Sequence, residues 1–595
     1  MKKLFLCCAL CLSGTMQAQL PVVFQNETQR IKADEMSQAF ITPQRIVWTD
    51  GAVTDAELLL RPNDGQSNIF GTGMCRMTNH DGKPASIILD FGRELHGGLK
   101  IAISSCSPLV TPQVRLRFGE SVMETCSELK GGKSVAELGC PEDGNVKENT
   151  ATNDHAVRDM VMTLPFYGGQ EIGNTGFRFV RIDLLTPGQT INLKETSAIL
   201  RYRAVPYKGS FRCNDQRLND IWMTGAYTVH LNMQEYIWDG VKRDRLIWLG
   251  DLHPETSTIN AVWGDDPSYY ATLDLACQQW PLPQWLNGMS AYSMWYLIIQ
   301  HDWYMHNGRK DFIEKHADYI KGLVDLIDTK VDADGTETLS PARFLDWPSS
   351  PNAEGVESGY RALLVWSMKD AAVLCRLLGD EARAKKSEDI IARLNKKIMP
   401  HHDLKQAASL MAIAGILSPE KACQDCVSVG GAKGFSTFYG YYMLEALAKA
   451  GRYEEAIDII SQYWGGMLDL GATTFWEDFD LEWIKNAGRI DDFVKPGQKD
   501  IHGDFGAYCY PGFRHSFCHG WASGPTAWLS QYVLGVTPLE AGCRKVRIEP
   551  HLGKLQWVEG TYPTPQGVIT IRHERQADGS VKSTVKAPKG VKVVK

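Results

Sequence analysis

The hydrophobic period changes twice along this chain, and that limits its fold more than any other feature. Between residues 209 and 537, apolar side chains recur every three or four positions; on either side they alternate or fall in short runs. Within the central span Phe312, His316, Tyr319, Leu323 and Ile327 share one helical face. Tyr360 to Leu378 and Ser387 to Ile398 repeat the pattern, and Gly379 is placed to cap the first of these. Phe438 to Ala450 stops at Gly451, and Tyr453 to Trp464 follows. Short connections imply antiparallel neighbours, and about 330 residues of such hairpins exceed a four-helix bundle. A toroid of paired helices, an (α/α)6 barrel, would absorb them.

The flanks read as β. In residues 19–208, Ser86 to Phe91, Leu99 to Ile103, Val114 to Phe118 and Phe177 to Ile182 are short apolar-rich runs separated by Gly, Pro and Asn clusters, the pattern of an antiparallel β-sandwich. In residues 538–595, Val568 to Ile571 and Val581 to Val585 flank Asp578-Gly579, a hairpin signal, and a second antiparallel β-sandwich is expected. No repeat of solenoid period is visible.

Residues 1–18 stand apart from this fold. Lys2 and Lys3 precede the apolar run Leu4 to Leu12, and Ala18 precedes Gln19, as in a secretory signal peptide. A periplasmic or secreted protein is expected. The run is too short to span a bilayer, and no later stretch reaches ~18 apolar residues. Cys7, Cys8 and Cys11 would leave with the leader, and their surroundings fit a lipid-attachment signal poorly. The remaining cysteines are scattered. Cys423-Gln-Asp-Cys426 has no second pair, which favours a local disulfide or two free thiols over zinc or redox chemistry. The net charge of −7 argues against a nucleic-acid partner. No calcium-loop pattern is present, so no cofactor and no catalytic metal are expected. The oligomeric state has no signature.

Of the 17 tryptophans, all but Trp48 and Trp557 lie in the helical span. Trp303, Trp366 and Trp464 follow the helical period and read as core filler. Two segments instead combine Trp with carboxylates. The first, Trp238 to Glu255, holds Asp239, Asp244, Asp251 and Glu255 with Lys242, Arg243 and Arg245. The second, Gly471 to Asp480, sets Glu477 beside Trp476, with Asp478 and Asp480 following. Sugar hydrolysis needs two carboxyl groups across the scissile bond: one protonated to serve the leaving oxygen, one ionised to activate water or attack. An apolar neighbour raises a carboxyl pKa and a nearby Arg lowers it. The bland reading of such clusters is surface salt bridging, and Asp251 and His253 would serve equally well at a helix start.

Asp239-Gly-Val-Lys-Arg-Asp-Arg-Leu-Ile-Trp-Leu-Gly-Asp251 resembles the active-site stretch of the α-L-rhamnosidases of glycoside hydrolase family 78, and Gly471-Ala-Thr-Thr-Phe-Trp-Glu477 resembles their second catalytic segment. Ser516-Phe-Cys-His519 with Gly520-Trp-Ala-Ser-Gly524 resembles their histidine turn. Asp90-Phe-Gly92 with Gly97-Gly98 resembles their N-terminal sandwich. Leu534 to Pro538, Ile548 to Pro550 and Gly560 to Pro565 resemble the start of their C-terminal one. The resemblance implies an inverting mechanism on terminal α-L-rhamnosides, with Glu477 as general base and Trp476 shielding it. It also implies that Asp239 and Arg243 hold sugar hydroxyls, that Trp248 and Trp347 form apolar walls, that Asp251 binds substrate and that His519 contacts the sugar.

There is one departure. Many members carry Asp-x-x-x-Arg-Asp-Glu-Arg, and that Glu is the usual acid; here Arg243-Asp-Arg245 lacks it. Asp244 is the first choice for the acid, Glu255 the second and Asp251 the third; loss of the acid is a fourth reading. Two rivals follow: a silent, lectin-like rhamnose-binding protein, and a related (α/α)6 hydrolase acting on another sugar.

Overall fold

The computed structural model describes residues 21–24, 28–32, 36–62, 64, 66–67, 72–129, 148–149, 158–242, 244–507 and 512–594. The expected leader at 1–18 and the candidate Arg243 lie outside the described residues.

The N-terminal region forms one connected ten-stranded antiparallel sheet. Its spine is a 23-residue strand, Ala85–Ser107. Gly168–Leu184 pairs along it on one side and Thr190–Tyr202 on the other. The two runs 86–91 and 99–103, separate in the sequence reading, therefore belong to one strand. The glycines between them are close-approach points rather than a turn. A Cβ at Gly97 would lie 2.0 Å from the Ile199 oxygen, and one at Gly98 2.3 Å from the Ile172 oxygen. Leu89, Phe91, Leu99, Ile101, Leu116, Phe177, Val180 and Leu200 fill the core.

Thirteen α-helices follow among the described residues: the six-residue Lys310–Lys315, which leads into Ala317–Asp328, and twelve more. The twelve are α1 (Gln216–Asn232), α2 (Leu252–Val262), α3 (Pro267–Gln279), α4 (Ser290–Asn307), α5 (Ala317–Asp328) and α6 (Ala353–Leu377). Then come α7 (Glu381–Leu394), α8 (Lys405–Ile413), α9 (Pro419–Ala422), α10 (Gly440–Lys449), α11 (Tyr453–Asp469) and α12 (Gly524–Trp528). The even-numbered helices touch in cyclic order: α2 on α4, α4 on α6, α6 on α8, α8 on α10, α10 on α12, and α12 back on α2. Helices α5 and α7 pack on α6, and α11 packs on α10 and α1.

Local chemistry sets the helix ends. Asp215 and Asp266 cap α1 and α3 by accepting the N–H groups of Arg217 and Ser268. Gly308 ends α4 in the left-handed conformation, φ 70°. His253, Trp295 and Tyr442 stack along the inner helices, with His253 to Tyr442 at 5.7 Å and Trp295 to Tyr442 at 4.9 Å.

The C-terminal region departs from expectation twice. Its four-stranded sheet recruits Ser210–Cys213, a segment the sequence reading assigned to the helical domain, against Trp557–Thr564. Its three-stranded sheet is not purely antiparallel. The last strand, Lys592–Val594, crosses over after Pro588-Lys589-Gly590 and lies parallel to Lys545–Ile548. Ten cysteines among the described residues carry free thiols, Cys423 and Cys426 included, and nine are buried.

Candidate active site

Three segments meet at one end of the helical ring. Gly520 N–H donates to the Asp239 oxygen at 2.8 Å, His519 N–H to the Phe475 oxygen at 2.9 Å and Glu477 N–H to the Ser516 oxygen at 3.0 Å. Thr437 and the Trp521 indole both donate to the Glu477 carbonyl, at 2.6 and 2.8 Å. The backbone at Asp239 and Glu477 is thereby fixed independently of any substrate.

The segments enclose a cavity of about 290 Å³. Asp239, Asp244, Asp251, Glu477 and His519 line it together with Trp248, Met289, Tyr292, Phe344, Trp347 and Trp521. The aromatic wall is continuous: Phe344 and Trp347 are 4.9 Å apart, and Tyr292 lies 6.2 Å from Trp248 and 6.3 Å from Phe344. The lining combines aromatic rings with carboxyl groups, a combination suited to a sugar ring with an apolar face and hydroxyl edges.

His519 organises the polar wall. Its Nε2 lies 3.2 Å from Asp251 Oδ2, and its Nδ1 3.9 Å from Glu477 Oε1. Burial opposes protonation of this imidazole, but the Glu477 and Asp251 carboxylates outweigh it and its pKa is raised. Asp251 also accepts the Tyr292 hydroxyl at 2.9 Å. Burial raises the Asp251 pKa, against the pull of His519 and Tyr292. Asp239 takes the Leu246 N–H at 3.0 Å, and burial pushes its pKa well above the carboxylate range. Glu477 Oε2 accepts the Ser516 N–H at 3.2 Å.

Asp244 is delivered by an unusual backbone. Both Asp244 (φ 54°) and Arg245 (φ 50°) are left-handed, a conformation Asp tolerates and Arg rarely adopts. Two successive inversions turn the chain back, and Asp244 lines the cavity.

Two sequence candidates lie elsewhere. Trp476 is 1% exposed and stacks on Phe517 at 4.2 Å, behind the cavity wall. Glu255, in the first turn of α2, is fully buried under Gly520, where a Cβ would come within 2.1 Å of its carboxyl carbon. Neither Glu255 oxygen has a hydrogen-bond partner among the described residues. Asp346 is also structural, held by Gln406, Ser436 and Ser349. Sequence reasoning missed Met289, Tyr292, Phe344 and Trp521. Trp521 was discoverable two positions after His519, and Phe344 three before Trp347. Met289 and Tyr292, at the start of α4, had no signal.

Burial pushes the Glu255 pKa well above the usual carboxylate range, and Asp251 and Asp239 push the same way. In the unfolded chain this group ionises near pH ~4.3. Above that pH the unfolded state loses the proton that the folded state keeps, so stability falls as pH rises toward the folded pKa. Glu255→Gln is expected to raise Tm at pH 8 by on the order of 2 °C, with no gain at pH 4, and to retain turnover. Thermal melts across pH and a rate assay check both.

Residues 206–533 match a family model described as the bacterial alpha-L-rhamnosidase six-hairpin glycosidase domain, and residues 535–594 match the bacterial alpha-L-rhamnosidase C-terminal domain. An alpha-L-rhamnosidase of Alteromonas sp. (strain LOR) is 22% identical over 550 residues, covering 83% of this chain and 54% of that protein. The chain thus spans about half the length of this curated relative. The family 78 rhamnosidase of Bacillus sp. GL1 superposes with TM-score 0.67 at 20% identity, over 90% of this chain and 54% of that one. The Streptomyces avermitilis alpha-L-rhamnosidase, solved with L-rhamnose, gives 0.63 at 18%, over 85% and 48%. A helical domain matched over more than half the sequence, followed by the matching C-terminal domain, places this chain in the α-L-rhamnosidases of glycoside hydrolase family 78.

Proposed function

We propose that this chain hydrolyses terminal α-L-rhamnosides by a single displacement with inversion, Asp244 acting as general acid and Glu477 as general base. The observation that carries the reading is the cavity itself: Asp244 and Glu477 line one enclosure with an aromatic wall, and Glu255 does not enter it. At about 290 Å³ it lies at the small end of ligand pockets, suited to one terminal sugar ring and hence to exo-action. The cyclic contact order of the even-numbered helices supports an (α/α)6 barrel around it, with the two β regions as flanking sandwiches.

In this mechanism Glu477 takes a proton from a water as that water attacks the anomeric carbon. The bond to the aglycone oxygen breaks, and Asp244 gives that oxygen its proton. Inverting pairs stand about 6.5–9.5 Å apart to admit the water. Asp239 and Asp251 hold sugar hydroxyls, His519 keeps the negative charge on Glu477 compensated, and Trp248, Trp347 and Trp521 cover the ring. The signal-like residues 1–18 support export to the periplasm or beyond.

Proton NMR during hydrolysis of p-nitrophenyl α-L-rhamnoside should show β-rhamnose first. Initial release of the α anomer would overturn the mechanism. Rhamnose binding by calorimetry without turnover would favour the lectin-like reading, which the missing family glutamate motivates.

A further inference from the structure

The segment bearing Asp244 leaves and returns at one point. Asp239 N–H donates to the Leu246 oxygen at 3.1 Å, and Leu246 N–H donates to Asp239 Oδ1 at 3.0 Å. Between them Val241, Lys242 and Arg245 meet the N-terminal sheet domain. Val241 is a member of that domain's hydrophobic core. Arg245 donates to the Asn174 oxygen at 3.2 Å.

Lys242 is fully buried. Its ammonium lies 3.2 Å from Glu120 Oε2, 3.0 Å from Glu124 Oε1 and 3.1 Å from His502 Nε2, and donates to the carbonyls of Phe513 and His515. Arg158 neutralises Glu124 at 2.5 Å. Glu120 Oε2 also accepts the Phe517 N–H at 2.8 Å, so the same carboxylate steadies the segment leading to His519.

Ligand atoms of Glu120, Glu124 and His502 lie within 4.8 Å of one another, close enough to cage a cation. The cation there is the side chain of the catalytic segment. Burying an ion pair costs desolvation that its attraction rarely exceeds, so apolar side chains in place of the whole cluster would secure the fold as well. What the caged ammonium adds is a single permitted geometry, its three N–H groups shared among five polar neighbours.

We propose that Lys242 is a positioning residue. Its clamp by Glu120 and Glu124 holds the Asp239–Leu246 loop in the doubly inverted conformation that presents Asp244 to the cavity. The N-terminal domain is then a working part of the glycosidase. The inference rests on the reading of Asp244 as the acid.

Two variants test it without touching a cavity residue. Lys242→Met removes the charge and keeps most of the stem. Gly176→Ala adds a Cβ 2.6 Å from Val241 Cγ2 and 2.9 Å from the Lys242 backbone nitrogen, displacing the loop from outside. Both are expected to lower kcat on a rhamnosyl disaccharide by about 10²-fold or more, the scale of lost acid catalysis. On an aryl rhamnoside with a good leaving group kcat should fall far less, and KM should change little on either substrate. Hydrogen exchange without substrate should quicken at 239–247 and not in α4 or α6. Equal losses on both substrates, or wild-type rates on the disaccharide, would overturn the positioning role. If the wild type turned over no rhamnoside, the functional reading would fail instead, and the exchange experiment would still decide whether Lys242 holds the loop.

Discussion

Glu477→Gln is expected to lower kcat by about 10²- to 10⁴-fold, the range for removing a general base. The fold should be intact, because the Ser516 N–H that now meets Glu477 Oε2 finds an amide oxygen in the same place. The Thr437 and Trp521 bonds go to the residue 477 carbonyl and are untouched by the substitution. KM should change little, since the lost group handles water rather than sugar. The loss should be equal for good and poor leaving groups. A variant that kept near-normal kcat would remove Glu477 from the base role.

Asp244→Asn should give the complementary pattern. Glycosides whose leaving oxygen needs a proton should lose about 10²- to 10⁴-fold in kcat/KM. Activated aryl glycosides, whose phenolate leaves unaided, should lose far less. Asn keeps the left-handed backbone accessible, so the loop survives the change. Measuring both variants on the same pair of substrates separates acid from base. Were Glu255→Gln to show the leaving-group signature instead, the proton donor would lie beneath Gly520 and the cavity wall would have to open to use it.

The period change alone located the helical domain, and the two Trp-bearing acidic segments fell at one cavity. Adjacency along the chain was a poor guide to what faces that cavity. Trp476 is next to Glu477, yet its ring is buried and stacks on Phe517. Trp521 reaches the cavity from another segment, through its hydrogen bond to the same residue 477 carbonyl. Lys242 reads as one more charge in a run of acids and bases. Its burial depends on Glu120 and Glu124, more than a hundred positions earlier, and pattern within a window cannot reveal such a partner. The pairing of Ser210–Cys213 with Trp557–Thr564 escaped for the same reason: four residues carry no domain label until their neighbour is known.

That strand pairing also sets a clock on biosynthesis. Ser210 and Thr561 share a hydrogen bond across 351 residues. At ribosomal rates of about 5–20 residues per second, the first strand waits roughly 20–70 s for its partner, and the helical ring stays open almost as long until α12 is made. During that interval an unpaired strand edge and the inward faces of α2, α4, α6, α8 and α10 lack their closing neighbour. Yield in recombinant hosts should therefore respond more to chaperone supply and growth temperature than to any single stabilising substitution.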